Sequence, residues 1–420
     1  MKSLIIITHR RLDDEQSGSK TYLRRMMDLA EEAGFRLSLI CLPTSTFSNR
    51  PWASVSDIFA RDTELLWPGT LKLGGRYIAL SPMVWARFGW RLVQEALSRL
   101  NIGPAHWRKP WSNLAAIPPL RELDRAARLA ATAAPDAVMV EYSSLGPLLH
   151  RLPRHIGRAL LVHDSFAARQ ALFEARGMIS DYPNPPSFEE EAARMTGADL
   201  IFHASVNELE TFKSLDNKPA HIWFRPTAPV YRDKLHARPQ AELLYIGANQ
   251  QGSRDAISHF LQDIWPHVLK RNPDTVLNIV GPVGANLDSG LLTKTVRIHG
   301  RVEDLTAFAG PDMIGLLPTR LMSGISIKVG EFLGMGLPIA AYGAGIDGYG
   351  DVLEGIVETA DSADSFVDLV ITLLNDSALR RKRSEAGLIA AETVLQNPEV
   401  ISALSGLDAG THTGRGKQIS

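Results

Sequence analysis

Two α/β domains, each built on a parallel sheet, are what this sequence predicts, and three observations carry the prediction. Short runs of aliphatic and β-branched residues alternate with longer segments of helical periodicity, the pattern of βαβ units. The chain of 420 residues exceeds what one hydrophobic core supports. Midway, Pro226, Pro229 and Pro239 flank the charged Arg232-Asp233-Lys234, which is the composition of a linker.

Residues 1–225 form the first domain. The apolar run from Met1 to Thr8 is its first strand, too short for a signal peptide or a membrane span. A polar loop from Arg10 to Ser17 leads to a helix from about Ser19 to Ala33, ended by Gly34, and then to the strand Arg36–Cys41. Further buried strands are expected at Pro135–Glu141, Arg158–Asp164 and Ala198–Ser205. After the linker, 226–241, the second domain occupies 242–395. Its clearest βαβ unit runs from the strand Asp312–Pro318 through a short helix to the strand Pro338–Tyr342, with Gly343-Ala344-Gly345 beyond it. Helices at about Ser362–Asn375 and Ala378–Leu395 should cover the sheet. Asn397-Pro398 marks a break, so 396–420 reads as a crossover segment and, from Gly406, a tail of disordered composition.

Composition excludes several classes. Net charge is −1, so no global basic field draws nucleic acid. A single cysteine, Cys41, excludes an intramolecular disulfide and, with no secretory signal, fits the cytoplasm; it reads as a small buried apolar residue at a strand end. No metal-ligand cluster and no internal repeat is visible. No Gly-x-Gly-x-x-Gly follows the first strand, which argues against a nicotinamide dehydrogenase.

The most informative stretch lies in the second domain's βαβ unit, from Ser323 to Pro338. Gly324 frees the backbone entering the helix to pack closely against a ligand. Ile325 and Ser326 follow, and Lys328 and Glu331, three positions apart, share one face. Two readings fit. Such a pair is a solvated surface pair worth about 0.2–0.5 kcal/mol, or it grips a sugar nucleotide, with the ammonium and helix N-terminus facing the diphosphate and the carboxylate accepting from ribose hydroxyls. Position favours the second, because ligands of open α/β sheets collect beyond the carboxyl ends of the strands.

Here the chain resembles the GT-B glycosyltransferases, in particular the large retaining bacterial family (group 1, or family 4-like). Leu243–Gly247, Asn278–Gly281 and His299–Leu305 resemble successive strand-and-turn landmarks of the family's donor domain, ahead of the Gly324, Lys328 and Glu331 motif. The resemblance implies two Rossmann-like domains whose parallel sheets face across a cleft, with the acceptor bound by the first and a nucleotide-diphosphate sugar, as co-substrate rather than resident cofactor, by the second. Arg254 stands where the family places a basic phosphate ligand after the first glycine, Gly247. Gly18 matches the glycine of the loop that approaches the diphosphate from the acceptor domain; by itself it is a turn glycine before a helix. One departure matters: where the family often carries a first glutamate, eight positions before Glu331, this chain has Ser323. That leaves the choice of donor open.

Candidates in the first domain are weaker. His163, in Val162-His163-Asp164, ends a strand on the ligand side and with its adjacent carboxylate fits a base toward an acceptor hydroxyl; equally, it caps the strand, with Asp164 or Ser165 starting the next helix. Glu141 reads as a plain cap. Between residues 82 and 111 tryptophan and arginine concentrate, from Trp85 and Arg87 to Trp107, Arg108, Lys109 and Trp111. This suits a segment resting on a membrane interface, while Trp85, Phe88 and Leu92 at helical spacing suit core packing.

The expected activity is hexosyl transfer from a nucleotide sugar to a hydroxyl of a glycan, lipid-linked or protein acceptor in envelope or surface glycan synthesis, with retention and without metal. Lys328 and Arg254 would neutralise the leaving diphosphate, and His163 would assist on the acceptor side. The expected place is the cytoplasm or, peripherally, the inner face of the plasma membrane. Two alternatives stand beside it: a sugar-nucleotide epimerase on the same scaffold, and a non-catalytic relative that binds nucleotide sugar.

Overall fold

The computed structural model describes residues 1–13, 18–42, 47, 50–56, 59, 63–100, 114–175, 177, 182, 184–227 and 229–407. Residues 14–17 of the first loop, Trp107, Arg108, Lys109 and Trp111 of the tryptophan-rich segment, and the tail beyond 407 lie outside these. The chain divides into two compact units, one of residues 1–203, 208–224 and 398–420, the other of 204–207 and 225–397.

In the first unit β1 (Lys2–Thr8), α1 (Gly18–Glu32) and β2 (Phe35–Cys41) form a parallel βαβ, with Lys2 to Thr8 in register against Phe35 to Cys41. The insertion that follows was not foreseen. β3 (Trp52–Ser54), β5 (Thr70–Leu73) and β6 (Arg76–Ala79) make a separate antiparallel sheet, while β4 (Glu64–Leu66) pairs with β2. Helix α2 (Pro82–Arg99) comes next and buries Val84 alone, with Trp85 and Leu92 exposed and Phe88 half-buried. The core-packing expectation for this segment is therefore corrected. α3 (Leu120–Thr132), β7 (Ala137–Glu141), a 3-10 segment at Ser143–Arg151, β8 (Gly157–Val162), α4 (Phe166–Glu174), α5 (Phe188–Met195), β9 (Leu200–His203), α6 (Val206–Leu215) and β10 (Ala220–Trp223) complete the alternation. The seven strands lie in the order β10-β9-β8-β7-β1-β2-β4, all parallel. Ile5, Ile7, Val138, Val140, Leu160 and Val162 bury one face against α3 and α5. The helix Pro398–Ser405 packs on α1 and β10 of this unit.

The second unit has β11 (Glu242–Ile246), α7 (Gln251–His259), a π-turn at Phe260–Ile264, α8 (Trp265–Arg271), β12 (Leu277–Val280), β13 (Val296–Gly300), β14 (Met313–Leu317), α9 (Ile327–Gly334), β15 (Ile339–Tyr342), β16 (Glu358–Ala360), α10 (Ala363–Asn375) and α11 (Ser377–Glu392). Its parallel sheet runs β13-β12-β11-β14-β15-β16. Strands such as Met313–Leu317 are buried throughout because helices cover both faces. Arg232 in the linker binds Glu385 and Glu392 of α11, fixing that segment to this unit.

Candidate functional site

Each parallel sheet reverses its winding at one place, between β1 and β7 in the first unit and between β11 and β14 in the second. Ligands of such sheets bind beyond the carboxyl ends of the strands flanking the reversal, where the connections leave in opposite directions and open a crevice. The candidate residues divide between these two places.

In the second unit, β11 ends at Gly247 and β14 ends in the loop to α9. Gly281 (φ +101°) brings its backbone against Gly247, since a Cβ there would lie 2.3 Å from the Gly247 carbonyl oxygen. This holds the β11 end flush with β12. Arg254, half-buried in the first turns of α7, donates to Asn249 Oδ1 at 2.9 Å. The next residue, Asp255, accepts from Arg320 at 2.9 Å, which ties the start of α7 to the loop leaving β14. Sequence reading missed Arg320; a lone arginine after a strand carries no signal of its partner.

That loop continues through half-buried Ser323 and Ile325 around buried Gly324 (φ +69°). Gly348 lies so near that its Cβ would be 2.6 Å from the Gly324 oxygen, and Tyr349 donates to the Ser326 carbonyl at 2.8 Å. Ser326 therefore enters α9 from a fixed backbone, with no side-chain cap on the helix N-terminus. Lys328, in the first turn, holds Nζ 5.1 Å from the centre of the Tyr245 ring, and Tyr245 is fixed by donating to the Ser253 carbonyl. Burial pushes the Lys328 ammonium down to about 8, against the opposing pull of Glu331. The helix gathers Lys328 and Glu331, and the adjacent strand ends bring Gly247 and Arg254 to the same sheet edge.

In the first unit the ends of β1, β7 and β8 converge on one carboxylate. Glu141 is buried, accepts from Thr8 Oγ1, and has Arg10 Nε at 3.2 Å and His163 Nε2 at 2.7 Å. Burial alone would raise its pKa, but Arg10, His163 and Thr8 together hold it down to about 2. Burial pushes the His163 imidazole below its ordinary pKa, outweighing the pull of Glu141. A carboxylate only accepts, so Nε2, at 2.7 Å, is the ring nitrogen placed to carry a proton toward Glu141. That Nδ1 is buried and has no hydrogen-bond partner. Tyr142 stacks on His163 at 4.7 Å, takes a bond from Arg10, and sits at φ +72°, a strained backbone for a tyrosine.

Two corrections follow. Glu141 is no plain cap; it is the charge around which the site is built. The carboxylate paired with His163 is Glu141 rather than its neighbour Asp164, which lies 3.6 Å from Arg169. Ser165 caps α4. Behind both loops Glu191, also buried, accepts from Ser143 and Ser165 hydroxyls at 2.7 Å each and from the Ala167 amide at 2.9 Å. It fixes the segments after Glu141 and His163 together. Gly18 opens α1 and is exposed; Ser19 beside it accepts from Arg10 at 2.7 Å. Among the described residues no group of three or more His, Cys, Asp or Glu side chains is arranged to hold a metal ion.

Residues 240–376, covering β11 to α10, match the family model described as glycosyl transferases group 1. No curated protein sequence matches the chain. Similar solved structures include sucrose-phosphate synthase from Thermosynechococcus elongatus, with TM-score 0.62 and 13% identity over 97% of this chain and 98% of that one. The E. coli trehalose-6-phosphate structure bound with UDP-2-fluoro glucose has TM-score 0.59 and 10% identity over 96% and 99%. WaaG, a glycosyltransferase involved in lipopolysaccharide biosynthesis, has TM-score 0.56 and 13% identity over 98% and 100%. The chain thus has the GT-B fold, and its residues 240–376 are similar to the glycosyl transferases group 1 family.

Proposed function

We propose that this protein transfers a hexosyl group from a nucleotide-diphosphate sugar to a hydroxyl of a glycan, lipid-linked or protein acceptor, with retention at the anomeric carbon and no divalent metal. The observation that carries the reading is Lys328, poised over Tyr245 in the first turn of α9 beside Gly324, at the reversal of the second sheet. As the bond from the anomeric carbon to the diphosphate breaks, its electron pair passes to the phosphate oxygen. Lys328, Arg254 and the α9 amides stabilise the charge that develops there. Glu331 accepts from the ribose hydroxyls. The acceptor oxygen bonds to the anomeric carbon, and its proton passes toward Nδ1 of His163, whose imidazole Glu141 steadies.

Envelope or surface glycan synthesis in the cytoplasm is the setting we propose, in keeping with the likeness to WaaG, with peripheral membrane contact through residues 82–111. One observation favours a second reading: Ser323 in place of a carboxylate suits a relative that binds nucleotide sugar without turning it over.

A thermal-shift screen against UDP, GDP, ADP, dTDP and their common sugars tests the donor site. A nucleotide that stabilises the wild type but neither Lys328→Ala nor Glu331→Ala supports it; no stabilisation by any of them overturns it. Transfer assays with that donor then separate the readings. Product on an added acceptor, undiminished by a chelator, supports metal-independent transfer; epimerised donor without acceptor supports an epimerase; bound but unreacted donor supports the non-catalytic relative.

A further inference from the structure

Helix α5 comes unusually close to the 3-10 segment that follows β7. A Cβ on Gly146 would fall on the Arg194 carbonyl oxygen, so the glycine is what lets the helix backbone rest there. A capping box of Ser187 and Glu190 fixes where α5 begins. Seated in this way, the helix carries Glu191 to the places where the chain leaves β7 and β8.

Glu191 is fully buried, and both of its oxygens are occupied. Oε1 accepts from the Ser143 hydroxyl at 2.7 Å and the Phe166 amide at 3.2 Å. Oε2 accepts from the Ser165 hydroxyl at 2.7 Å and the Ala167 amide at 2.9 Å. These donors fill the roughly four lone-pair sites of an ionised carboxylate. They come from two loops: Ser143 follows Glu141 by two residues, and Ser165 follows His163 by two. From α6, Glu208 takes the Ser165 amide at 3.0 Å.

Tyr142 stands between Glu141 and Ser143 at φ +72°, a conformation that persists only where its surroundings enforce it. Its amide donates to the Leu161 carbonyl at 2.8 Å, and its ring stacks on His163 at 4.7 Å and on Phe166 at 5.8 Å. Glu191 therefore holds the residue after the strained tyrosine and, through Ser165 and Phe166, the loop that carries the imidazole beneath it.

We propose that Glu191 is a positioning residue for the transfer, acting through Tyr142 and His163 by clamping their two loops at one separation. It rests on the role given to His163 above and extends it to a carboxylate that touches none of the reacting atoms. The His163 imidazole, assigned by the signal lost in His163→Ala, is followed by NMR across pH in the wild type and in Glu191→Gln, which keeps the shape but turns one acceptor into a donor facing donors. Burial holds His163 below the ordinary 6.5, so release of the clamp should admit water and move its titration up toward that value. This readout needs no turnover. In transfer assays Glu191→Gln should lower kcat on the order of tenfold to a hundredfold, with donor KM and the nucleotide-induced thermal shift unchanged. In the His163→Ala background it should lower the rate no further. Ser143→Ala removes one donor and leaves the amides, so it should act in the same direction more weakly, and it decides the matter where Glu191→Gln does not fold. An unchanged His163 titration in both variants, or a rate loss that adds in full to that of His163→Ala, would overturn the proposal. A shifted titration in a protein that transfers nothing would support the clamp and count against the transfer.

Discussion

Nε2 of His163 lies 2.7 Å from Oε1 of Glu141, across the ends of neighbouring strands, leaving Nδ1 buried and without a hydrogen-bond partner. With Nε2 turned to the carboxylate, Nδ1 is the ring nitrogen left for the acceptor hydroxyl in the transfer proposed above. His163→Ala should therefore lower the transfer rate by about 10²–10⁴-fold while leaving the nucleotide-induced thermal shift intact. Glu141→Ala should act differently, costing about 3–5 kcal/mol of stability in urea because it leaves Arg10 buried without its counter-charge. Equal loss of nucleotide binding in both variants would sink the assignment.

Acid should unfold this protein earlier than a carboxylate-limited domain. Burial holds His9 down to about 4 and His203 down to about 3. Unfolded, each takes up its proton near the ordinary 6.5, so below that pH the unfolded state binds more protons and stability falls with pH. Each contributes about 1.4 kcal/mol per pH unit over its window. Glu141, held down to about 2 from 4.5, adds the same sign lower down. The melting temperature should decline steadily from pH 6.5 toward 4, and His203→Gln should flatten the decline. A flat profile between pH 7 and 5 would count against it.

What the sequence revealed follows from distance along the chain. Lys328 and Glu331 could be placed on one helical face because their relation is local, and Gly324 and the strand Asp312–Pro318 frame them within a few residues. Arg10, Glu141 and His163 come from three strand ends far apart in sequence. Only the sheet order, which puts β1 beside β7 and β7 beside β8, brings them together. Glu141 looked like a cap because nothing near it in sequence carries its partners. The antiparallel sheet escaped notice because Trp52–Ser54 and Arg76–Ala79 are too short to show a period. In α2 the helical spacing was visible, but whether its apolar side faced the core depended on elements sequence could not position.

Nucleotide binding should weaken in alkali. Lys328 titrates at about 8 in the folded protein against an ordinary 10.5, so above about pH 8 the ammonium proposed to face the diphosphate is lost. Apparent affinity for the stabilising nucleoside diphosphate should fall by up to about tenfold per pH unit. Calorimetry near pH 8 in buffers of different ionisation enthalpy should show proton uptake on binding. Free of ligand, the sign reverses: between the two values the unfolded chain binds the extra proton, so stability rises with pH. Lys328→Arg should remove the alkaline loss. Affinity constant from pH 7 to 9.5 would contradict this role.

The loop entering α9 depends on a contact that only glycine permits. A Cβ on Gly348 would lie 2.6 Å from the Gly324 carbonyl oxygen and 3.2 Å from Ile325 Cβ, and a backbone oxygen cannot swing aside as a side chain does. Gly348→Ala must therefore displace one of the two turns, at a cost of about 1–3 kcal/mol. It should loosen the Tyr349 bond to Ser326, on which the entry to α9 rests. Gly343→Ala is the control, since nothing lies within 4 Å of a Cβ there. Gly348→Ala should lower both melting temperature and nucleotide affinity, whereas Gly343→Ala should change neither by more than a small amount. If Gly348→Ala lowered stability but left affinity untouched, the Gly324 loop would be a packing feature and not the wall of a nucleotide site.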